Sequence, residues 1–114
     1  MELIKIISSV ESKELFEQYV GKIDVYIDTT EKSNGNFQNY LYKVEQIYKI
    51  FDLNYKYKNV MRAFYKNELK RLVIDGNKVL FLTHRALFKF LSRKLHYKAV
   101  LCRELLFDYL SNIT

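Results

Sequence analysis

The sequence predicts an α+β fold in one domain spanning residues 1–114, mostly helical, with about five helices and a small antiparallel sheet or hairpin at 72–82. Three observations carry that expectation. Apolar residues recur at intervals of three and four in several stretches, the mark of amphipathic helices. Ile23, Val25 and Ile27 alternate with Asp24, Tyr26 and Asp28, the period of two expected of a half-buried strand. Two β-prone runs, Leu72-Val73-Ile74 and Val79-Leu80-Phe81-Leu82, flank the Asp75-Gly76 turn, a strong short-range hairpin signal.

Taken in order, Leu3, Ile4, Ile6, Ile7 and Val10 suit a short strand or a helix, and periodicity does not arbitrate. Ser8 and Glu11 have the spacing of a capping box. Leu15, Phe16, Tyr19 and Val20 then make one helical face over about 10 to 20, and Gly21 supplies the stop. After the strand at 23–28, the polar stretch 29–36 reads as an exposed loop. Phe37, Tyr40, Leu41, Val44, Ile47, Tyr48 and Phe51 form the cleanest amphipathic helix pattern and predict a central core helix. The pattern breaks at 52–55, and a basic helix is expected from Tyr57 to Asn67. Beyond the hairpin, Thr83 is placed to cap a second basic helix over 84–94 with Leu87, Phe88 and Leu91 inward. A last helix over about 98 to 110 turns Cys102, Leu105, Leu106, Tyr109 and Leu110 inward.

The basic segments are unusual in their regularity. Lys58, Arg62, Lys66 and Lys70 fall at intervals of four, as do Arg85, Lys89 and Arg93. On a helix each step of four advances about 40°, so each set makes a cationic stripe. Like charges at that spacing disfavour an isolated helix, so helix stability alone does not select them. Charge is also divided along the chain: residues 1–55 carry a net charge of −3 and residues 56–114 carry +9. That polarity points to an anionic ligand met by one side of the molecule, with a solvated surface, or acidic and basic halves packing on each other, as the alternative.

Phosphates are met by Lys and Arg, and each engaged cation releases condensed counterions. The candidates for such contacts are Lys56, Lys58, Arg62, Lys66, Lys70 and Arg71 around one helix, and Arg85, Lys89, Arg93, Lys94 and Lys98 around the other. Asn59 and Asn67 carry side chains able to pair with adenine. Tyr55, Tyr57, Tyr65 and Tyr97 are interleaved with the cations; they read as half-buried core with a wet hydroxyl, or as stacking platforms for unpaired bases. His84 and His96 read as caps, turn residues or phosphate contacts.

Catalytic signals are thin. Glycine occurs only at 21, 35 and 76, so there is no Gly-rich phosphate loop. Cys102 with His84 or His96 would make an activated thiolate only if exposed; as the inward residue of a helix it reads as inert core. Asp24 with Asp28, and Glu11 with Glu14, read as acidic residues on a solvated face. One Cys and two His are too few for a structural zinc site, and neither metal nor cofactor is expected. A lone cysteine fits a reducing compartment, and no apolar run approaches the roughly 18 residues of a membrane span, so an intracellular protein with no membrane partner is expected.

The stretch 44–110 resembles the Bro-N and MSV199-type amino-terminal domains of large DNA viruses, especially those of insects. The resemblance rests on Ile47-Tyr48-Lys49-Ile50-Phe51-Asp52-Leu53-Asn54-Tyr55, and on the run from Val79-Leu80-Phe81-Leu82-Thr83-His84-Arg85-Ala86-Leu87 through Phe88-Lys89-Phe90-Leu91-Ser92-Arg93-Lys94, followed by Ala99 and a final amphipathic helix. It covers about two-thirds of the chain and is mostly a hydrophobic pattern. The family's turn glycine is Asn54 here, a residue able to take a left-handed conformation; the glycine of the later helix is Ala86, and the tryptophan of the last helix is replaced by Leu106 or Phe107. The resemblance implies a DNA-binding domain in a viral regulatory or replication setting, in the nucleus or cytoplasm of an infected cell. The expectation is therefore a non-enzymatic domain that binds double-stranded DNA, with single-stranded nucleic acid as a variant. The alternative is a protein-interaction module that grips an acidic partner or forms a homo-oligomer.

Overall fold

The computed structural model describes residues 3–5, 10–28, 39–94 and 96–111. Strand β1 (Leu3–Lys5) precedes helix α1 (Val10–Tyr19), strands β2 (Val25–Asp28) and β3 (Tyr40–Lys43), and helices α2 (Val44–Ile50) and α3 (Tyr57–Ala63). A 3₁₀ turn at Lys66–Glu68 leads into β4 (Leu69–Ile74), β5 (Asn77–Thr83), α4 (His84–Arg93) and α5 (Tyr97–Ser111). The strands make one antiparallel sheet in the order β1-β2-β3-β5-β4. The fold is α+β, as the order of elements predicts.

Helices cover one face of the sheet. Val25, Tyr42, Leu80 and Leu82 meet Phe16, Val20, Ile47, Val60, Leu87, Leu91, Cys102 and Leu106 there, all buried. The opposite face carries a smaller cluster of Tyr26, Leu41 and Phe81, joined by Leu72, Ile74 and Val79. Because both faces are covered, the alternation at 23–28 does not divide core from solvent. Asp24, Tyr26 and Asp28 are all buried, which corrects the reading of these acids as a solvated face. Asp24 is satisfied by Gln46, whose Nε2 donates to its Oδ2 at 3.0 Å and whose Oε1 accepts its backbone N–H at 2.8 Å.

The hairpin forms where expected and is longer, with register running from Leu69–Leu82 to Ile74–Asn77. Asp75 and Gly76 both take positive φ, 49° and 81°, the geometry of a type I′ turn whose twist matches the strands. Thr83 caps α4 by accepting the Ala86 N–H at 3.3 Å. Gly21 ends α1 at φ 145°, and its N–H still reaches the Phe16 carbonyl at 3.3 Å.

Two helices are shorter than predicted. The pattern at 37–51 is split: Tyr40–Lys43 is a strand and only Val44–Ile50 is helical, while Phe37 and the loop at 29–36 lie outside the described residues. Tyr-Leu-Tyr-Lys suits a pleated surface, and as a strand it buries Leu41 on one face and Tyr42 on the other, which no single helix face would do. Helix α2 closes in a Schellman arrangement, Leu53 N–H to Tyr48 O at 2.8 Å and Asp52 N–H to Lys49 O at 3.3 Å. The left-handed residue there is Asp52, φ 54°, rather than Asn54. Helix α3 stops at Ala63 instead of Asn67, because Phe64 turns extended (φ −130°, ψ 149°) and packs its ring 5.8 Å from that of Phe90. The Ser8–Glu11 capping box and the side chains of Tyr109 and Leu110 lie outside what is described.

Candidate nucleic-acid interface

Shortening α3 breaks the first cationic ladder into three. Lys58 and Arg62 remain on the helix, exposed on the side opposite buried Val60, with Lys56 exposed at its N-cap. Lys66 sits in the 3₁₀ turn, and Lys70 is in β4. Alternation along β4 then separates neighbours. Arg71 shares the helix-covered face with its cross-strand partner Leu80, whereas Lys70 shares the opposite face with Phe81 and lies 3.9 Å from the buried carboxylate of Asp28. Lys70 therefore leaves the candidate surface. The second ladder holds: α4 keeps Arg85, Lys89 and Arg93 on its outer side, with Ala86, Leu87 and Leu91 buried.

The segment 63–69 lies between Lys66 and Arg71 on one side and Arg85, Lys89 and Arg93 on the other, while Lys58 and Arg62 line none of the three depressions there. A cleft of about 450 Å³ lies between α3 and the hairpin, with Tyr57, Met61, Phe64, Leu69 and Leu80 as its walls and Lys66 and Arg71 as its cations. Past the 3₁₀ turn, a depression of about 200 Å³ joins Tyr65, Asn67 and Glu68 to Thr83, Arg85 and Lys89. A smaller one joins Ala63, Phe64 and Glu68 to Lys89, Phe90 and Arg93. The end of α3, the 3₁₀ turn and the outer side of α4 thus border one another. Helical spacing alone leaves that relation open.

Within this surface Glu68 is the anion. It closes the 3₁₀ turn by accepting the Tyr65 N–H at 2.8 Å, and its other oxygen lies 3.7 Å from Lys89, which also sits 4.9 Å over the Tyr65 ring. Arg71 stacks 5.2 Å from the centre of the Tyr57 ring and donates to the Tyr57 hydroxyl. Lys94 lies over Phe90 at 5.1 Å, at the end of α4. Lys98 donates to the Ile50 carbonyl at 3.2 Å, closing the C-terminus of α2. Asn59 donates to the Asn54 carbonyl at 3.3 Å, while Asn67 is exposed beside Arg85.

The tyrosines depart from the half-buried reading. Tyr57, Tyr65 and Tyr97 are 57%, 69% and 75% exposed, and Tyr55, 41% exposed, sets its ring edge-on to Tyr48 at 5.9 Å. Reading from sequence also passes over Lys78, which borders a second cavity of about 360 Å³ with Tyr55, Tyr57, Arg71 and Leu80. Hairpin alternation was the available signal, since Lys78 lies two residues from Leu80 and on the same face.

Cys102, His84 and His96 each have a place in the packing or capping of the fold. Cys102 is buried, and burial pushes its thiol up to about 12, so the thiolate reading fails at this residue. His84 is held under the helices with its Nδ1 sharing a 2.7 Å hydrogen bond with the Tyr42 hydroxyl, and desolvation lowers its pKa to about 4. His96 caps α5, its Nδ1 accepting the Lys98 N–H at 3.1 Å. Among the described residues no group of three His, Cys, Asp or Glu could hold a metal ion, and no helix is long and apolar enough to cross a membrane. No family model matches this chain, and no curated protein or solved structure shows significant similarity to it.

Proposed function

We propose that this chain is a non-enzymatic DNA-binding domain that meets the phosphates of duplex DNA with Lys58, Arg62 and Lys66 on one side and Arg85, Lys89 and Arg93 on the other. The observation that carries the reading is the meeting of the end of α3, the 3₁₀ turn and α4 around segment 63–69, where Lys66 lines one cleft and Arg85, Lys89 and Arg93 line the adjoining depressions. The resemblance to the amino-terminal domains of large DNA viruses supports the same ligand and a regulatory or replication-associated role. Phosphate contacts of this kind give affinity and register without requiring base readout.

A salt titration of binding to duplex DNA tests the reading. With about five phosphates engaged, affinity falls by roughly two to three decades over a fourfold rise in salt. A Lys58/Arg62/Lys66 to Glu variant and an Arg85/Lys89/Arg93 to Glu variant should each lose most of the affinity and flatten the salt slope. Equal binding by wild type and both variants, or no binding at about 50 mM salt, overturns it.

A further inference from the structure

We propose that the open edge of β4, together with the cleft between it and α3, takes up an extended acidic peptide as a sixth strand of the sheet. Among the described strands β4 is the last in the sheet order, paired with β5 alone. Its register fixes which backbone groups face outward. Ile74 and Asn77 flank a two-residue turn and so exchange both hydrogen bonds, and bonded pairs then alternate through Leu72–Val79 and Lys70–Phe81. The N–H and C=O groups of Arg71 and Val73 therefore point away from β5, and no turn, loop or cap bond among the described residues reaches them, whereas Leu69 follows directly on the 3₁₀ turn as its C-cap. Val73 is 66% exposed. Donors and acceptors repeating at every second residue match another polypeptide strand, and a nucleic acid backbone cannot continue that ladder.

The side chains beside the edge state what the strand should carry. Met61, Phe64, Leu69 and Leu80 give the cleft apolar walls, and Lys66 and Arg71 give it charge, with no acid among its lining residues. Lys78 adds a cation to the adjoining cavity, which also lacks an acid. Side chains of an added strand that face the helices would stand next to Leu69, Arg71 and Val73. Opposite charges across a strand pair are favourable, so the fitting segment has an acid opposite Arg71 and apolar residues two positions to either side. A second copy of this chain fits poorly in two registers. Antiparallel pairing of two β4 edges centred on Arg71 sets Arg71 against Arg71, and slipping toward the N-terminus sets Lys70 against Lys70, both repulsive.

The test uses a blocked synthetic peptide in which isoleucine, glutamate and valine alternate with threonine. Titrated into the isotopically labelled chain, it should shift the Arg71 and Val73 amides and slow their hydrogen exchange at least tenfold. N-methylation of the peptide at isoleucine, glutamate and valine, which removes the N–H groups that would join the ladder, should weaken binding at least tenfold; N-methylation at the threonines should not. Replacing glutamate by lysine in the peptide should abolish binding to the wild type, and Arg71→Glu in the protein should restore it, an outcome a misfolded variant cannot produce. Equal binding of the backbone-methylated peptide, shifts confined to other residues, or occupation of the same amides by oligothymidylate while the peptide leaves them unmoved would overturn the proposal. Because the decisive change is made in the peptide, the result does not depend on whether duplex DNA binds.

Discussion

Lys70 reaches the Asp28 carboxylate from the face of the sheet turned away from α3, Nζ to Oδ2 at 3.9 Å, with the Asp28 side chain fully buried. A residue that by its spacing belongs to a cationic stripe is thereby assigned to stability. Lys70→Met leaves Asp28 without this countercharge and is expected to destabilise the fold by about 1–3 kcal/mol, the usual cost of weakening the satisfaction of a buried polar group. Duplex affinity should change less than about twofold, in contrast to Lys66→Met. Denaturation midpoints and binding titrations on the two variants read both effects.

Glu68 tempers the cationic surface. Glu68→Gln keeps an acceptor for the Tyr65 N–H and removes the charge 3.7 Å from Lys89. Ion pairs near the surface are worth about 0.2–1 kcal/mol, so releasing Lys89 should raise duplex affinity by up to about fivefold at low salt, with the gain fading as salt rises. An unchanged or lower affinity would show that Lys89 faces no phosphate.

His84 makes the fold sensitive to acid. Desolvation lowers its folded pKa from 6.5 to about 4, so between those values the unfolded chain binds the proton and the folded chain does not. Stability from this residue is complete above pH 6.5 and is lost as pH falls toward about 4. Thermal melts from pH 7.5 down should show the loss, and His84→Gln should flatten that part of the profile. A parallel profile in the variant would place the acid sensitivity elsewhere.

Gly21 is required both for its backbone angle and for its lack of a side chain. At φ 145° an L side chain is strained, and a Cβ there would lie 2.8 Å from Ile50 Cγ1. Gly21→Ala should therefore cost about 1–3 kcal/mol. Gly76, also at positive φ but with nothing within 4 Å of an added Cβ, should show only the backbone part of that penalty.

The Cys102 thiol should stay silent toward aromatic disulfide reagents in the native state. It is buried and its ionisation is pushed up to about 12 by that burial. Its rate of modification is expected to track global unfolding in denaturant; rapid reaction of the folded protein would contradict the packing described.

Much of the fold is written in local chemistry. Asp75-Gly76 between β-prone runs, Thr83 before an apolar face and Gly21 after another are signals that act within a few residues, and the structure has a hairpin, a cap and a helix end at those places. The pattern at 37–51 misled because its spacing of three and four runs through a strand into a helix, with Leu41 buried on one face of the sheet and Val44, Ile47 and Tyr48 in the core on the other. Local sequence has no term for that choice. It is settled by the burial of Leu41 and Tyr42 on opposite faces of the sheet.

By itself the sequence determined the class of fold, the hairpin, the α4 stripe and the division of charge between the two halves of the chain. Only the tertiary structure decided where each cation lies. The turn of Phe64 against Phe90 ended α3 early, and strand alternation then sent Lys70 to Asp28 and Arg71 to Tyr57. Helical periodicity describes a residue's direction from its own axis, whereas a shared surface depends on how axes and strands pack. That packing is governed by contacts between residues far apart in the chain.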